Sequence, residues 1–567
     1  MTDIRRTVLW VVFTMSLVLL WDGWQKHNGH PSMFSPVPAA KQPAAAGSSA
    51  AAVPAATAAA SGVSVAAAPA AAASAPAPVN SEKLVITTDL VKATLDTLGG
   101  SLVRVELLKH ADPHDPSGHV VVLDNSALHV YKAESGLTGV PGAPSHLTLM
   151  SVTPGERELK DGANALSVRF ESPETGGLKL VKTYTFKRGE YAAVVKHEVI
   201  NASGAAVQPQ LYLQLVRDGH VESKLSSMAP TSFTGPAVYT EKAKFQKVEF
   251  EAIEKGKAEY EQRATDGWIA MVQHYFTSAW LRNTAGDRGF FVRKQPEAVG
   301  KQYAVGMVFP LAQLAPGATA TTEDLLYVGP QEENKLADLA PGLQLVKDYG
   351  IFKPLSQPLF WLLDQLHKLL GNWGWAIVVL VVLLKIAFYW LNASAYRSMA
   401  KMKAVGPRIQ ELRERLKDNP QQMQQEMMRI YKEEKVNPIG GCLPIFLQMP
   451  FFLALYWVLL SSVEMRGAPW ILWITDLSQP DSLFGHLFGA PIGPLPILMT
   501  LTSVLQVALN PKAPDPMQQR MMWIMPLAFG IMFFFFPSGL VLYWLVNNIL
   551  SIAQQWMINK QLGVSNK

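Results

Sequence analysis

The sequence predicts a polytopic α-helical membrane protein with six transmembrane helices and one large all-β sandwich domain placed outside the membrane. Three observations carry this. Only 17% of the 567 residues are charged while 49% are hydrophobic, whereas a soluble chain carries nearer a quarter charged residues. The charge deficit is concentrated in the last third, where five apolar runs succeed one another. Between Leu84 and Val328, by contrast, apolar residues recur at every second position, the period of half-buried strands. A single cysteine, Cys442, leaves no disulfide framework, CxxC redox pair or cysteine zinc site. A net charge of +5 over this length does not point to nucleic acid.

Residues 1–24 read as an uncleaved signal anchor. Arg5 and Arg6 precede an apolar run from Thr7 to Trp24 that is just long enough to span a bilayer. Trp21, Asp22, Gly23 and Trp24 stand where a cleavable peptide needs small residues; cleavage further along, in the Ala-rich stretch, is the alternative. Residues 25–80 form a linker. From 36 to 80 there are 22 Ala and 7 Pro, with Lys41 as the only charge, so the prolines interrupt any helix and no apolar face exists to bury.

The sandwich is expected over 81–340. Val91, Ala93 and Leu95 alternate with polar neighbours, as do Val103, Val105 and Leu107, and Leu211, Leu213 and Leu215. Further runs (178–186, 191–200, 245–250, 303–309) bring the expected number to about a dozen strands. His197, His220 and His274 have no metal-ligand spacing and read as structural histidines. No nucleophile motif, nucleotide loop or clustered acid and base is legible there, so no catalysis and no cofactor are expected. Residues 341–371 follow as a connector and an amphipathic helix, with Pro358 in its first turn and Gly371 closing it. That helix suits a membrane interface; packing on the sandwich is the alternative.

A second transmembrane helix (372–392), a helical hairpin (393–440), four transmembrane helices (441–558) and a short tail (559–567) complete the chain. The hairpin shows one helical stripe of Met399, Met402, Val405, Ile409, Leu412 and Leu416 and, after Asn419-Pro420, a second of Met423, Met427, Ile430 and Tyr431. Lys and Arg counts set the orientation. The segment before the anchor, residues 393–440, residues 510–520 and the tail hold 16 together, while 462–492 holds only Arg466. Both termini are therefore expected in the cytoplasm and the sandwich outside, in the periplasm where there are two membranes. The hairpin's basic residues, among them Arg397, Lys401, Lys403, Arg408, Arg413 and Arg415, suit anionic lipid. They equally suit a docking arm for a ribosome or targeting factor, whose methionines adapt to varied apolar partners.

One intramembrane charge stands out. Lys385 lies within an apolar run, and no Asp or Glu occurs in any of the five C-terminal spans. A lysine in hydrocarbon costs several kcal/mol unless it snorkels, pairs or meets water. Gln448, Asn547, Asn548 and Ser503 are the polar groups available to line a wet cavity around it, which would suit an acidic group arriving from elsewhere.

Several ordered motifs carry a resemblance: Ser398-Met-Ala-Lys-Met402, Gln425-Glu-Met-Met428, Asn437-Pro-Ile-Gly-Gly-Cys-Leu-Pro444 with Gln448-Met-Pro450, Asp515-Pro-Met-Gln-Gln519, and Phe536-Pro-Ser-Gly-Leu-Val-Leu-Tyr-Trp544. Gly235-Pro-Ala-Val-Tyr239 and Gly267 to Phe276 lie in the sandwich region. Together they resemble the YidC membrane protein insertases of Gram-negative bacteria over essentially the whole chain. The resemblance implies a five-helix insertase core around a hydrophilic groove that is open to cytoplasm and lipid and closed toward the periplasm. It further implies nascent membrane proteins as clients and a Sec-type translocon, membrane lipids and a ribosome or targeting factor as partners. The family's groove arginine is matched here by Lys385, which keeps the charge without the bidentate fork. A family Tyr pair is matched by Tyr543 and Trp544, and Gln448 matches a further groove position. Asn547 joins them as a groove residue, with Phe451, Phe452, Phe533 and Phe535 as the lipid-facing wall along which a client slides. The sandwich resembles sugar-mutarotase folds, with contact rather than sugar chemistry expected. The alternatives are a secondary transporter, which needs internal repeats or broken helices that are not legible, and an envelope carbohydrate-binding protein. Ion flux or sugar turnover by the purified protein would favour one of these.

Overall fold

The computed structural model describes residues 80–112, 115, 117–126, 128–220, 233–295, 300–416, 419–434, 443–487, 489–510 and 516–561. The expected anchor, nearly all of the linker, the Asn437–Cys442 motif and the end of the tail lie outside the described residues.

Alternation in the first half becomes two antiparallel nine-stranded sheets. One runs through Lys83–Thr87, Val91–Asp96, Ser101–Ala111, His119–Asn125, Val130–Thr138, Gln210–Asp218, Gln302–Pro310, Arg288–Gln295 and Arg263–Ala264. The other runs through Lys244–Lys247, Gly235–Thr240, Trp268–Val272, Phe276–Leu281, Thr319–Pro330, Ala192–Asn201, Leu178–Lys187, Ala165–Glu171 and Ser151–Val152. Period two sets the faces. Leu211, Leu213 and Leu215 enter the shared core, while Tyr212 packs with Val308 and Phe291 on the other side of the same sheet.

There are more strands than the sequence pattern suggests, for a physical reason. Gly235–Thr240, Trp268–Val272 and Phe276–Leu281 are buried at every position, because Leu336, Ala340, Leu343 and Val346 of the following segment cover Ala237, Tyr239 and Trp268. A strand covered on both faces loses its alternation. The run 245–250 also differs: its strand ends at Lys247, and a short helix, Phe250–Glu254, begins.

The sandwich does hold a clustered acid and base, contrary to the sequence expectation. The Glu134 carboxylate accepts from Gln214 Nε2 at 2.7 Å, pairs with Lys132 at 2.7 Å and lies 3.9 Å from His146 Nε2, whose Nδ1 meets the Tyr212 hydroxyl at 2.6 Å. The four residues Lys132, Glu134, Tyr212 and Gln214 come from two adjacent strands. They share one sheet face because their positions have the same parity, a relation that the sequence does not display without the register. Glu134 and His146 are both buried, and both Glu134 oxygens are engaged, so the cluster is a closed structural network. Burial works to raise the Glu134 carboxyl, but the charges and hydrogen bonds of His146, Lys132 and Gln214 outweigh it and hold it down at about 2. Burial keeps His146 below the ordinary imidazole range.

Beyond the sandwich the chain is helical: α1 (Lys353–Leu370), α2 (Trp373–Ala387), α3 (Tyr389–Arg415), α4 (Pro420–Glu433), α5 (Leu443–Ser461), α6 (Pro494–Leu509), α7 (Pro516–Phe533) and α8 (Ser538–Gln561). Helix α1 starts five residues before Pro358, with Pro354 in its first turn, and ends at Gly371 in the left-handed conformation, φ 68°. It buries Leu359, Phe360 and Leu363 against the helices around it and packs on α2 and α5. The sandwich is tied to the periphery of α5. His274 Nε2 meets the Leu460 carbonyl at 2.9 Å, Val463 enters the sandwich core, and Lys347 pairs with Glu464 at 3.1 Å. The hairpin within residues 405–436 is a unit of its own. In it Val405, Ile409 and Leu412 of α3 and Ile430 and Tyr431 of α4 are buried, Asn419 caps α4 by accepting from Gln422 N, and Arg408 pairs with Glu434.

Among the described residues no single helix is long and apolar enough to cross a membrane. One bent pair, Trp373–Ala387 and Tyr389–Ser398, meeting at 66°, has the combined length and apolar composition of a span. The second span expected over 372–392 is thus broken at Phe388. Phe388 turns inward to an edge contact with Phe451 at 5.0 Å, while Tyr389 and Trp390 are exposed.

Candidate functional site

The break places Lys385 in the last turn of α2, where the carbonyl end of the helix favours a cation. Helix α8 supplies its neighbours. Tyr543, Asn547 and Ser551 recur every four residues and so share one face. Lys385 Nζ donates to Ser551 Oγ at 2.7 Å, and Ser551 Oγ donates to the Asn547 carbonyl at 2.7 Å. Gln448 of α5 donates from Nε2 to Asn547 Oδ1 at 2.9 Å. Lys385, Gln448 and Asn547, with Val381, Leu384, Phe388, Leu391, Asn392, Phe451 and Tyr543, line a cleft, and Ser551 lies behind it as the partner of Lys385. Among the described residues no carboxylate lies within ion-pair distance of Lys385, so its partner is a neutral hydroxyl. The free space is about 20 Å³, on the order of one water, so a guest enters only by moving the walls.

At the opposite end the cleft helices are covered. Ser538 N donates to the Gln479 carbonyl at 2.8 Å and Gly539 N to the Leu477 carbonyl at 2.9 Å, so the segment after α5 satisfies amide donors that the first turn of α8 leaves free. Leu477 is itself buried in the helical core.

Of the residues singled out in the sequence, Lys385, Gln448, Tyr543 and Asn547 come together in the cleft, and Phe451 forms part of its wall. Trp544 does not line it. One residue is about 100° of helix, and Trp544 packs on Phe452 and Phe533, with ring centres 4.6 and 5.2 Å away. Phe533 is buried, whereas Phe535 is exposed. Asn548 and Ser503, offered as cavity-lining groups, instead bond to each other at 2.8 Å and join α8 to α6. Ser551 was missed, although its spacing of four and eight residues from Asn547 and Tyr543 was available as a signal. Of the basic residues, Arg397, Lys401, Arg408 and Arg415 are exposed and Arg413 is partly buried; the Lys403 side chain lies outside the described set.

The chain is 52% identical to the membrane protein insertase YidC of Janthinobacterium sp. (strain Marseille), covering all of both chains. It is 53% identical to that of Cupriavidus necator, covering 99% of this chain and 98% of the other. The chain belongs to the YidC family. Residues 83–362 match the YidC periplasmic domain and residues 365–565 match the 60Kd inner membrane protein family, so the boundary between the two family models falls within α1. The solved structure described as an active YidC insertase with the first transmembrane domain resolved is 18% identical, with a TM-score of 0.38, covering 84% of this chain and 92% of that one.

Proposed function

We propose that this chain is a membrane protein insertase of the bacterial inner membrane, which receives apolar segments of nascent membrane proteins in the cleft around Lys385 and releases them into the bilayer. Membership of the YidC family supports the activity, and one observation carries the mechanism: a half-buried lysine, without a carboxylate partner among the described residues, in a cleft otherwise lined by neutral polar, aromatic and aliphatic side chains. A carboxylate on a client's translocated tail exchanges with Ser551 for the ammonium. The exchange turns an ammonium–hydroxyl bond into an ammonium–carboxylate pair, adding charge–charge attraction in a half-buried cleft, and transfer of roughly 20 apolar residues into lipid supplies the driving force without a nucleotide. Gln448, Tyr543 and Asn547 hydrogen-bond the tail, and the client's apolar segment leaves past Phe451, Phe452 and Phe535.

In this reading the chain crosses the membrane six times, with both termini cytoplasmic and the sandwich periplasmic. The 15 and 16 residues of α2 and α6 are about 22 and 24 Å long, short of a hydrocarbon core of about 30 Å, so the bilayer thins around the cleft and the cost of a charge crossing it falls. The segment 468–480 seals the periplasmic end. The basic hairpin receives a ribosome or targeting factor, anionic lipid supports it, and a Sec-type translocon hands over some of the clients.

A photo-crosslinking residue at Gln448 or Phe388, with a stalled client, tests the cleft. Adducts are expected at both positions and not at exposed Leu128 of the sandwich; adducts at none of the helical positions would refute the reading. Deleting residues 399–435 tests the hairpin, whose docking role predicts a loss of client capture.

A further inference from the structure

The segment between α5 and α6 carries apolar side chains that no described residue covers. Leu472 is one of two described non-glycine residues with a positive φ, at 55°, a conformation in which its β-carbon crowds the backbone. Hydrogen bonds from Trp470 N to the Ile474 carbonyl (3.0 Å) and from Ile474 N to the Ile471 carbonyl (3.2 Å) hold it at the tip of a tight turn. Its side chain is nevertheless 82% exposed, so the strain is kept without any packing in return. Strained backbone of this kind marks places where a conformation is held for something outside the fold. Further along, the hairpin His486–Leu487 with Ala490–Pro491 presents Leu483, Phe484 and Leu487, all exposed.

Both features are pinned to the first turn of a helix. Asn372 Nδ2 at the start of α2 donates to the Pro469 carbonyl at 3.1 Å, and Trp470 lies directly against Gly374. The Asp481 carboxylate accepts from Leu495 N at the start of α6, at 2.8 Å, and from Trp473 Nε1, at 3.1 Å. The turn and the hairpin therefore stand level with the ends of two apolar helices. Trp373 and Trp375 lie in the first turn of α2, Trp470 meets Trp375 edge-on with ring centres 5.7 Å apart, and Trp473 bonds to Asp481 just before the hairpin, the aromatic composition of a membrane boundary. From Ser482 to Pro511 there is no Asp, Glu, Lys or Arg, so the hairpin shares the composition of the helix that it leads into. Continuity with the lipid-facing helices, charge exclusion and strain all favour lipid over a soluble partner.

We propose that the Ile471–Leu472 turn and the 482–492 hairpin are two wedges inserted into the periplasmic leaflet at the headgroup–acyl boundary, where they fix the depth of the helices around the cleft. The proposal rests on the membrane placement given above. The test uses the full chain with Cys442→Ser and one new cysteine at a time, Leu472→Cys or Phe484→Cys, labelled with an environment-sensitive fluorophore in phosphatidylethanolamine–phosphatidylglycerol vesicles. Leu128→Cys in the sandwich and Ile531→Cys on the exposed face of α7 serve as references.

Labels at 472 and 484 are expected to emit to the blue of 128, and to be quenched by doxyl lipids labelled near the headgroup more than by deeply labelled ones. Water-like emission at both, with 531 in lipid, would overturn the wedges and leave the membrane placement standing. Water-like emission at 531 as well would overturn the placement itself. A blue shift that ignores the lipid quenchers and vanishes at low protein-to-lipid ratio would assign the surface to a second copy and overturn the proposal.

Discussion

Removing Glu464 strands a buried cation at the joint between sandwich and helices. The Lys347 side chain is 0% exposed while Glu464 keeps 17%, Nζ lies 3.1 Å from both carboxylate oxygens, and it sits 3.6 Å from the centre of the Phe360 ring. Breaking a buried pair from one side costs about 3–5 kcal/mol, and the Phe360 face, worth about 1–2 kcal/mol, remains, so Glu464→Ala should cost about 2–3 kcal/mol. Lys347→Met leaves a carboxylate that can turn to water and keeps an apolar stem on Phe360, so about 1 kcal/mol is expected. Replacing both, Lys347→Met with Glu464→Leu, should return close to the parent. Thermal unfolding of the four proteins in detergent, followed by circular dichroism, reads the ranking, since 1 kcal/mol moves the midpoint by about 2–4 °C in a domain of 150–250 residues. Equal small losses from the two single variants, or a double variant as unstable as Glu464→Ala, would refute the argument that the buried lysine dominates this joint.

Three further outcomes follow from the same geometry. Acid should loosen the sandwich in two steps. His146 is held below 6.5, so the unfolded chain takes up its proton first and stability falls as pH drops through about 6.5; Glu134 goes from 4.5 to about 2, so its contribution is full above 4.5 and is lost between there and 2. Glu134→Gln should shrink the lower step of the unfolding midpoint plotted against pH, and an unchanged profile would count against the network. Ser551→Ala removes the hydroxyl that Lys385 meets, a bond between helices worth about 0.6 kcal/mol, so client insertion should change by no more than about threefold, far less than on loss of Lys385. Leu472→Gly relieves a left-handed residue, a gain of about 1 kcal/mol, and should raise the unfolding midpoint in detergent; a fall would show that the turn is not strained.

The sandwich was legible because one face of most strands meets the core, which writes period two into residues such as Leu211, Leu213 and Leu215. Strands that meet the core on one face and the 336–346 segment on the other do not carry that signature. Lys385 was legible as a cation in an apolar run with no acid in any neighbouring span. Its partner was not, because Ser551 lies 166 positions away and only the packing of α2 on α8 brings the two together. Tyr543 and Trp544 read as a pair in the sequence, yet adjacent residues on a helix point in different directions, and only the first reaches the cleft. The break at Phe388 was also hidden, since no proline or glycine marks it and the apolar run continues through it.

The central claim is that the cleft's cation captures the client's acidic tail and that insertion depends on this capture. The most direct test compares the parent chain, Lys385→Arg and Lys385→Ala in nucleotide-free proteoliposomes, scoring protease-protected insertion of a small one- or two-span client with an acidic tail. The parent and the arginine variant should insert the client and the alanine variant should not. Equal insertion by all three would reduce Lys385 to a lysine that merely reaches for the membrane surface, and would contradict the account.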